Sequence, residues 1–178
     1  FGINMIAGVE ALSNHQTPPG RLKIIKGIRN TTIIDDTYNS SPVAVEEALA
    51  SLGQISTKGK RIVVLGDMME LGQYSVAQHE KTGHMVAEVA DYLVTVGIRS
   101  RSIAEGALES GMPESRIRQY EDARLAGKEL EELLGEDDIV LVKGSQSIRA
   151  ERAVEEIMMH SEHASELLVR QDPMWQNI

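Results

Sequence analysis

The chain contains no cysteine, so disulfides, thiolate zinc sites and cysteine nucleophiles are excluded. Aromatics are scarce: four Tyr, one Trp and one Phe among 178 residues, with Phe1 and Trp175 near the ends. That is too few rings for a base-stacking platform. Cations are outnumbered, 18 Lys and Arg against 27 Asp and Glu, giving a net charge of −9. No nucleic-acid partner is expected, because a backbone binder needs a positive surface. No apolar run approaches the roughly 20 residues that cross a bilayer, so no membrane association is expected. The start, FGINMIAGVEALSNHQ, carries no basic leader or clear cleavage site. The chain is expected to be a fragment or processed piece of a cytoplasmic protein, and a monomer.

The glycine-rich phosphate loops are missing too. G-x-G-x-x-G does not occur, and the nearest approach to a Walker A motif runs from Gly53 to Arg61. It has one residue too many between the glycines and an arginine where Ser or Thr must meet Mg²⁺. It also leads into a strand, so no helix N-terminus would present its amides. The five histidines match no zinc spacing. His79 and His84 are five apart on a predicted helix and point about 140° away from each other. No metal site is expected. Met68, Met69, Met158 and Met159 are expected to fill core space.

What is present is an alternation of short apolar runs and helical patterns. A short helix is predicted over residues 3–13. Pro18, Pro19 and Gly20 then mark a linker. Leu22–Lys26 and Thr31–Ile34 are separated by four residues, too few for a parallel crossover, so they form an antiparallel hairpin. Ser41 and Pro42 open a helix as N-cap and first helical residue. Arg61–Leu65, Tyr92–Val96, Ile117–Tyr120 and Ile139–Val142 read as strands. Ser75 with Gln78 suggests a capping box for a helix to Ala90, and Asp122 caps another to Leu134. Ile148–His160 is the last long helix, placing His160 and His163 at its C-terminal end.

Strands alternating with helices predict a doubly wound, Rossmann-like α/β fold. Its sheet is six-stranded and mostly parallel, with one antiparallel edge strand. In such sheets ligands bind beyond the carboxyl ends of the strands. Asp35 to Asn39, Gly66 to Gly72 and Lys143 to Ser145 therefore converge on one edge. Two acidic loops and one lysine loop suit an anionic ligand with Mg²⁺, or a zwitterion whose amine and carboxylate need opposite partners.

Four stretches occur in order: PGR (19–21), IIDDTYNSSP (33–42), VLGDMMELG (64–72) and VKGSQSIRAE (142–151). Together they resemble the C-terminal domain of a Mur ligase, within the branch of the family that adds D-Ala-D-Ala. The likeness covers about residues 19–160. Residues 1–18 resemble the closing helix of that family's central ATPase domain, and 161–178 read as a C-terminal tail. The resemblance implies an ATP- and Mg²⁺-dependent acid–amino-acid ligase in peptidoglycan precursor synthesis. In it, UDP-N-acetylmuramoyl tripeptide is activated as an acyl phosphate and attacked by the amine of D-Ala-D-Ala. The nucleotide would be bound mainly by the central domain, so this chain alone is expected to be inactive and to hold no catalytic residue.

The resemblance places Arg21 and Asp36 toward the nucleotide. It makes Tyr38, Asn39, Lys143, Gly144 and Ser145 the dipeptide pocket. Gln146, Ser147 and Ala150 stand where the family has Arg, Gly and Met, and Arg149 is the residue placed to supply the missing charge. Asp67, Glu70 and His79 are further candidates beside the third strand. The alternatives are a non-catalytic small-molecule-binding α/β module and a phospho-accepting receiver. Spacing speaks against the receiver, since Asp67 follows a glycine outside its strand.

Overall fold

The computed structural model describes residues 17–176. The helix predicted over 3–13 lies outside them. The hairpin pairs β1 (Lys23–Lys26) with β2 (Thr32–Asp36) antiparallel, in the register Ile24 opposite Ile34. The connection is tight because Arg29 and Asn30 adopt left-handed backbone. The remaining strands are β3 (Arg61–Gly66), β4 (Tyr92–Val96), β5 (Ile117–Tyr120) and β6 (Ile139–Lys143). They join β2 in parallel, in the spatial order β1-β2-β6-β3-β4-β5. The six-stranded sheet with its antiparallel edge is the one the sequence predicts.

Alternate strand residues face opposite layers, as a two-residue period requires. Ile33, Ile62, Val64, Val140 and Val142 pack with α4 (Ala123–Leu133) and α5 (Glu151–Ile157). Ile34, Val63, Leu65, Leu93 and Leu141 pack with α1 (Pro42–Gln54), α2 (Ser75–Val89) and α3 (Arg101–Glu109). Strands buried on both faces explain the unbroken apolar runs RIVVL and IVLV.

Helix starts follow the local chemistry in two cases. Ser41 accepts a hydrogen bond from the Ala44 N–H, and Asp122 one from the Leu125 N–H. The predicted capping box at Ser75 does not form. A 3₁₀ turn over Gly72–Tyr74 runs directly into α2, so Ser75 already lies inside the helix.

The last long helix is also shorter than predicted. Arg149 is left-handed at φ 59°, and α5 begins at Glu151. It ends at Ile157 because Met158 turns extended and bridges to Gly27, while the Met159 N–H bonds to the Lys26 carbonyl. His160 and His163 therefore lie beyond the end of α5: His160 precedes a 3₁₀ turn over Ser161–His163, and His163 leads into the next short helix. Met68 and Met158 are core, but Met159 is exposed. The segment that reads as a tail folds back as α6 (Ala164–Leu167) and α7 (Pro173–Gln176), with Ala164 and Leu168 buried against the α4–α5 layer.

No helix among the described residues is long and apolar enough to cross a membrane.

Candidate functional site

The carboxyl ends of β2 and β6 carry a buried charge pair. Asp36 and Lys143 are register partners, and their side chains meet at 2.6 Å between Nζ and Oδ2. The lysine, 2% exposed, also donates to the Asn39 carbonyl at 2.9 Å. Asp36 takes a second bond from the Leu22 N–H at 3.2 Å. Its neighbour Asp35 points to the opposite face. It accepts from the Gly20 N–H at 3.0 Å and from the Thr37 hydroxyl at 2.6 Å. Burial, only partly offset by these bonds, holds the Asp35 carboxyl above the usual carboxylate range. The two aspartates thus tie the linker at Gly20–Leu22 to the end of β2.

Over the Asp36–Lys143 pair lies a cleft of about 320 Å³. Arg21, Asn39, Ser40, Ser41 and Glu47 line it with the pair itself. It faces the N-terminus of α1, where peptide dipoles and first-turn N–H groups favour an anion. Ser40 is 6% exposed, and its hydroxyl has no hydrogen-bond partner among the described residues. Arg21 is exposed, and its guanidinium lies over the Tyr38 ring, 4.1 Å from the centroid.

The predicted residues near β3 form a second group. Gly66 and Gly144 face each other so closely that a Cβ on Gly66 would sit 3.2 Å from the Gly144 Cα. The Ser145 N–H donates to the Asp67 carbonyl at 3.0 Å, and its hydroxyl accepts from the Met69 N–H at 2.9 Å. His79 is wholly buried. Its Nε2 accepts from the Met68 N–H at 3.0 Å while Nδ1 lies 2.7 Å from the Ser75 carbonyl. A carbonyl can only accept, so Nδ1 carries the proton and the ring is neutral. Ser145 and His79 therefore brace the loop after β3. Asp67 accepts from the Ser100 N–H at 2.8 Å and faces Arg99 at 3.6 Å. Glu70 is exposed on left-handed backbone, φ 64°. Among the described residues no group of three or more His, Asp or Glu could hold a metal ion.

Arg149 does not line the Lys143 cleft. It donates to Glu151 at 2.6 Å and to the Trp175 carbonyl at 2.7 Å, with its guanidinium 5.4 Å from the Trp175 ring centroid. The structure therefore gathers Arg21, Asp36, Asn39 and Lys143, and sets Tyr38 beside them beneath Arg21. Gly144, Ser145, Asp67, Glu70 and His79 belong to the neighbouring β3 group, and Arg149 to the C-terminal segment. Sequence reasoning missed Ser40 and Glu47 as cleft residues. Two hydroxyls immediately before a helix-starting proline were the available signal. It also missed Glu151, Arg170 and the half-exposed Arg99.

The family described as Mur ligase, glutamate ligase domain, matches residues 20–146. The UDP-N-acetylmuramoyl-tripeptide--D-alanyl-D-alanine ligase of Bacillus subtilis (strain 168) is 30% identical over 159 residues, covering 89% of this chain and 35% of that protein. Its counterpart from Escherichia coli (strain K12) is 32% identical over 156 residues, covering 86% and 32%. The chain thus spans about a third of the length of these curated relatives. The crystal structure of MurF ligase from Thermotoga maritima in complex with ADP superposes with a TM-score of 0.69 at 27% identity, over 89% of this chain and 34% of that one. A MurF structure from Acinetobacter baumannii gives 0.74 at 30% identity, over 86% and 33%. The matched span takes in both the cleft and the β3 loop, and the chain belongs to the Mur ligase C-terminal, glutamate ligase domain family.

Proposed function

We propose that this chain is the acceptor-binding domain of a ligase that joins D-Ala-D-Ala to UDP-N-acetylmuramoyl tripeptide during peptidoglycan precursor synthesis in the cytoplasm. The observation that carries the reading is the cleft at the carboxyl end of the sheet. There a buried Ser40 hydroxyl, without a partner among the described residues, stands beside the N-terminus of α1, above the Lys143 ammonium.

A dipeptide acceptor is a zwitterion before it reacts. Its carboxylate suits Ser40, the first turn of α1 and the field of Lys143. Its ammonium suits Glu47, which is exposed on the cleft wall one helical turn along α1 from Ala44. Asp36 and the Asn39 carbonyl take two of the three Lys143 donors, so Lys143 acts by its charge and one remaining N–H. A preorganised anion site orients the amine for attack without reorganisation.

ATP with Mg²⁺, held mainly by parts of the longer protein that precede this domain, would supply the activation of the tripeptide carboxyl. Arg21 fits a supporting contact to that nucleotide. It is exposed next to the linker, and among the described residues its guanidinium meets a ring face instead of a carboxylate. Its planar donor fork matches phosphate oxygens. Asp36 acts on the same edge by fixing Lys143 and the Leu22 backbone.

The test is a pair of Michaelis constants in the ligase that carries this domain. Ser40→Ala is expected to raise the KM for D-Ala-D-Ala while leaving that for ATP unchanged. A raised ATP constant with an unchanged dipeptide constant would refute the assignment of the cleft.

A further inference from the structure

Arg170 lies 19 residues beyond Glu151, in a stretch whose sequence reads as a C-terminal tail, yet its side chain is 6% exposed. Its backbone is left-handed at φ 57°, an unfavourable state for a residue with a side chain. The guanidinium reaches across to the end of β2. Nη2 donates to the Thr37 carbonyl at 2.5 Å and Nη1 to the Tyr38 carbonyl at 3.1 Å. Nη2 also meets Glu151 Oε2 at 2.6 Å, while Arg149 holds the other oxygen of that carboxylate at 2.6 Å. Glu151 is 1% exposed, so one buried carboxylate is clamped between two guanidiniums.

The loop gripped in this way carries three contacts of the candidate site. The Tyr38 N–H bonds to the Gly20 carbonyl at 3.0 Å, next to the linker. The Tyr38 ring supports the Arg21 guanidinium. The Asn39 carbonyl receives the Lys143 ammonium. A planar fork can hold two successive carbonyls and a carboxylate together, which an ammonium cannot do with the same geometry.

We propose that Arg170 is a positioning residue: by anchoring the Thr37 and Tyr38 carbonyls it sets the ring on which Arg21 rests, and so aims the Arg21 guanidinium along the linker edge. The use made of that aim rests on the proposed function. The coupling between Arg170 and Arg21 does not. The C-terminal segment is then a strap across the carboxyl edge of the sheet.

The experiment follows the Arg21 Nε–H resonance in the isotope-labelled 178-residue chain, where a guanidinium over a tyrosine face is shifted upfield by the ring current. Tyr38→Leu defines the unstacked value. Arg170→Ala and Arg170→Lys are both expected to move the resonance to that value and to remove exchange protection from the Tyr38 amide. Arg124→Ala, which breaks the more exposed pairs to Glu155 and Glu156, should leave both unchanged. Should Arg170→Ala not fold, Arg170→Lys decides, since it keeps a cation beside Glu151. A folded Arg170→Lys chain with the native Arg21 shift and a protected Tyr38 amide would overturn the proposal. In the ligase, Arg170→Lys should raise the KM for ATP. If Arg21→Ala leaves ATP use untouched while the resonance still follows Arg170, the nucleotide role of Arg21 fails and the coupling stands.

Discussion

Lys143 and Asp36 face each other across the seam between two parallel strands, 2.6 Å apart, with the lysine side chain 3% exposed and the aspartate 12%. Neither charge has ready access to water, so each depends on the other. Removing one leaves the partner buried and uncompensated, a loss of about 3–5 kcal/mol. Asp36→Asn and Lys143→Met are each expected to lower stability on that scale in chemical denaturation. The double variant should recover a large part of the loss. Equal and additive losses would show the two side chains to be uncoupled.

Arg21 offers the converse case. Its charge is exposed and contributes little to stability. Arg21→Ala should leave the thermal midpoint of the chain nearly unchanged. In the ligase that carries the domain it should lower turnover by about 10²–10³, the scale of losing one charge-stabilising donor. A large drop in midpoint with near-normal turnover would make Arg21 a linker anchor instead.

Helices α2 and α3 approach so closely that a Cβ on Gly83 would lie 2.1 Å from the Ile103 carbonyl oxygen, and one on Gly106 2.1 Å from that of Glu80. Neither backbone can yield without separating the helices. Gly83→Ala and Gly106→Ala are each expected to destabilise by about 1–3 kcal/mol, the range for overpacking, despite the better helix propensity of alanine. A rise in the thermal midpoint would contradict the packing.

Asp35 titrates above the usual carboxylate range because burial outweighs its hydrogen bonds. A carboxyl raised in the folded state binds its proton more tightly there than in the unfolded chain. The stability it adds is therefore fully present below the unfolded value of about 3.9 and is lost as pH rises through the folded value. Carbon-detected titration of the Asp35 carboxyl should show a midpoint above that of exposed aspartates. A midpoint at or below theirs would contradict the burial argument.

Much of this architecture is legible in the chain because its signals are local. Ser41-Pro42 and Asp122 announce helix starts, and RIVVL and IVLV announce strands buried on both faces. The four-residue link between the first two strands leaves only an antiparallel pairing. Other features depend on contacts that no local pattern encodes. The helix expected through His160 ends at Ile157 because Met158 and Met159 are drawn to Gly27 and Lys26. Ser75 looks like a cap but lies inside a helix that a preceding turn has already begun. Of the candidate site, the switch-point rule puts the loops of Asp36, Asn39 and Lys143 on one edge, but it also gathers the loop after β3, which Ser145 holds as a separate group. The partners of Arg149 follow from no such rule, since Glu151 reads as an ordinary helix-start acid, and Arg170 meets Thr37 across 133 residues.

The central claim is that the cleft between α1 and the Asp36–Lys143 pair receives the acceptor carboxylate. A crystal structure of the ligase carrying this domain, bound to D-Ala-D-Ala and a non-hydrolysable ATP analogue, tests it most directly. The account predicts the dipeptide carboxylate within about 2.7–3.2 Å of Ser40 Oγ or a first-turn N–H of α1, with the amine turned toward Glu47 and the linker. Density for the dipeptide outside this cleft, with Ser40 still unpartnered, would contradict it.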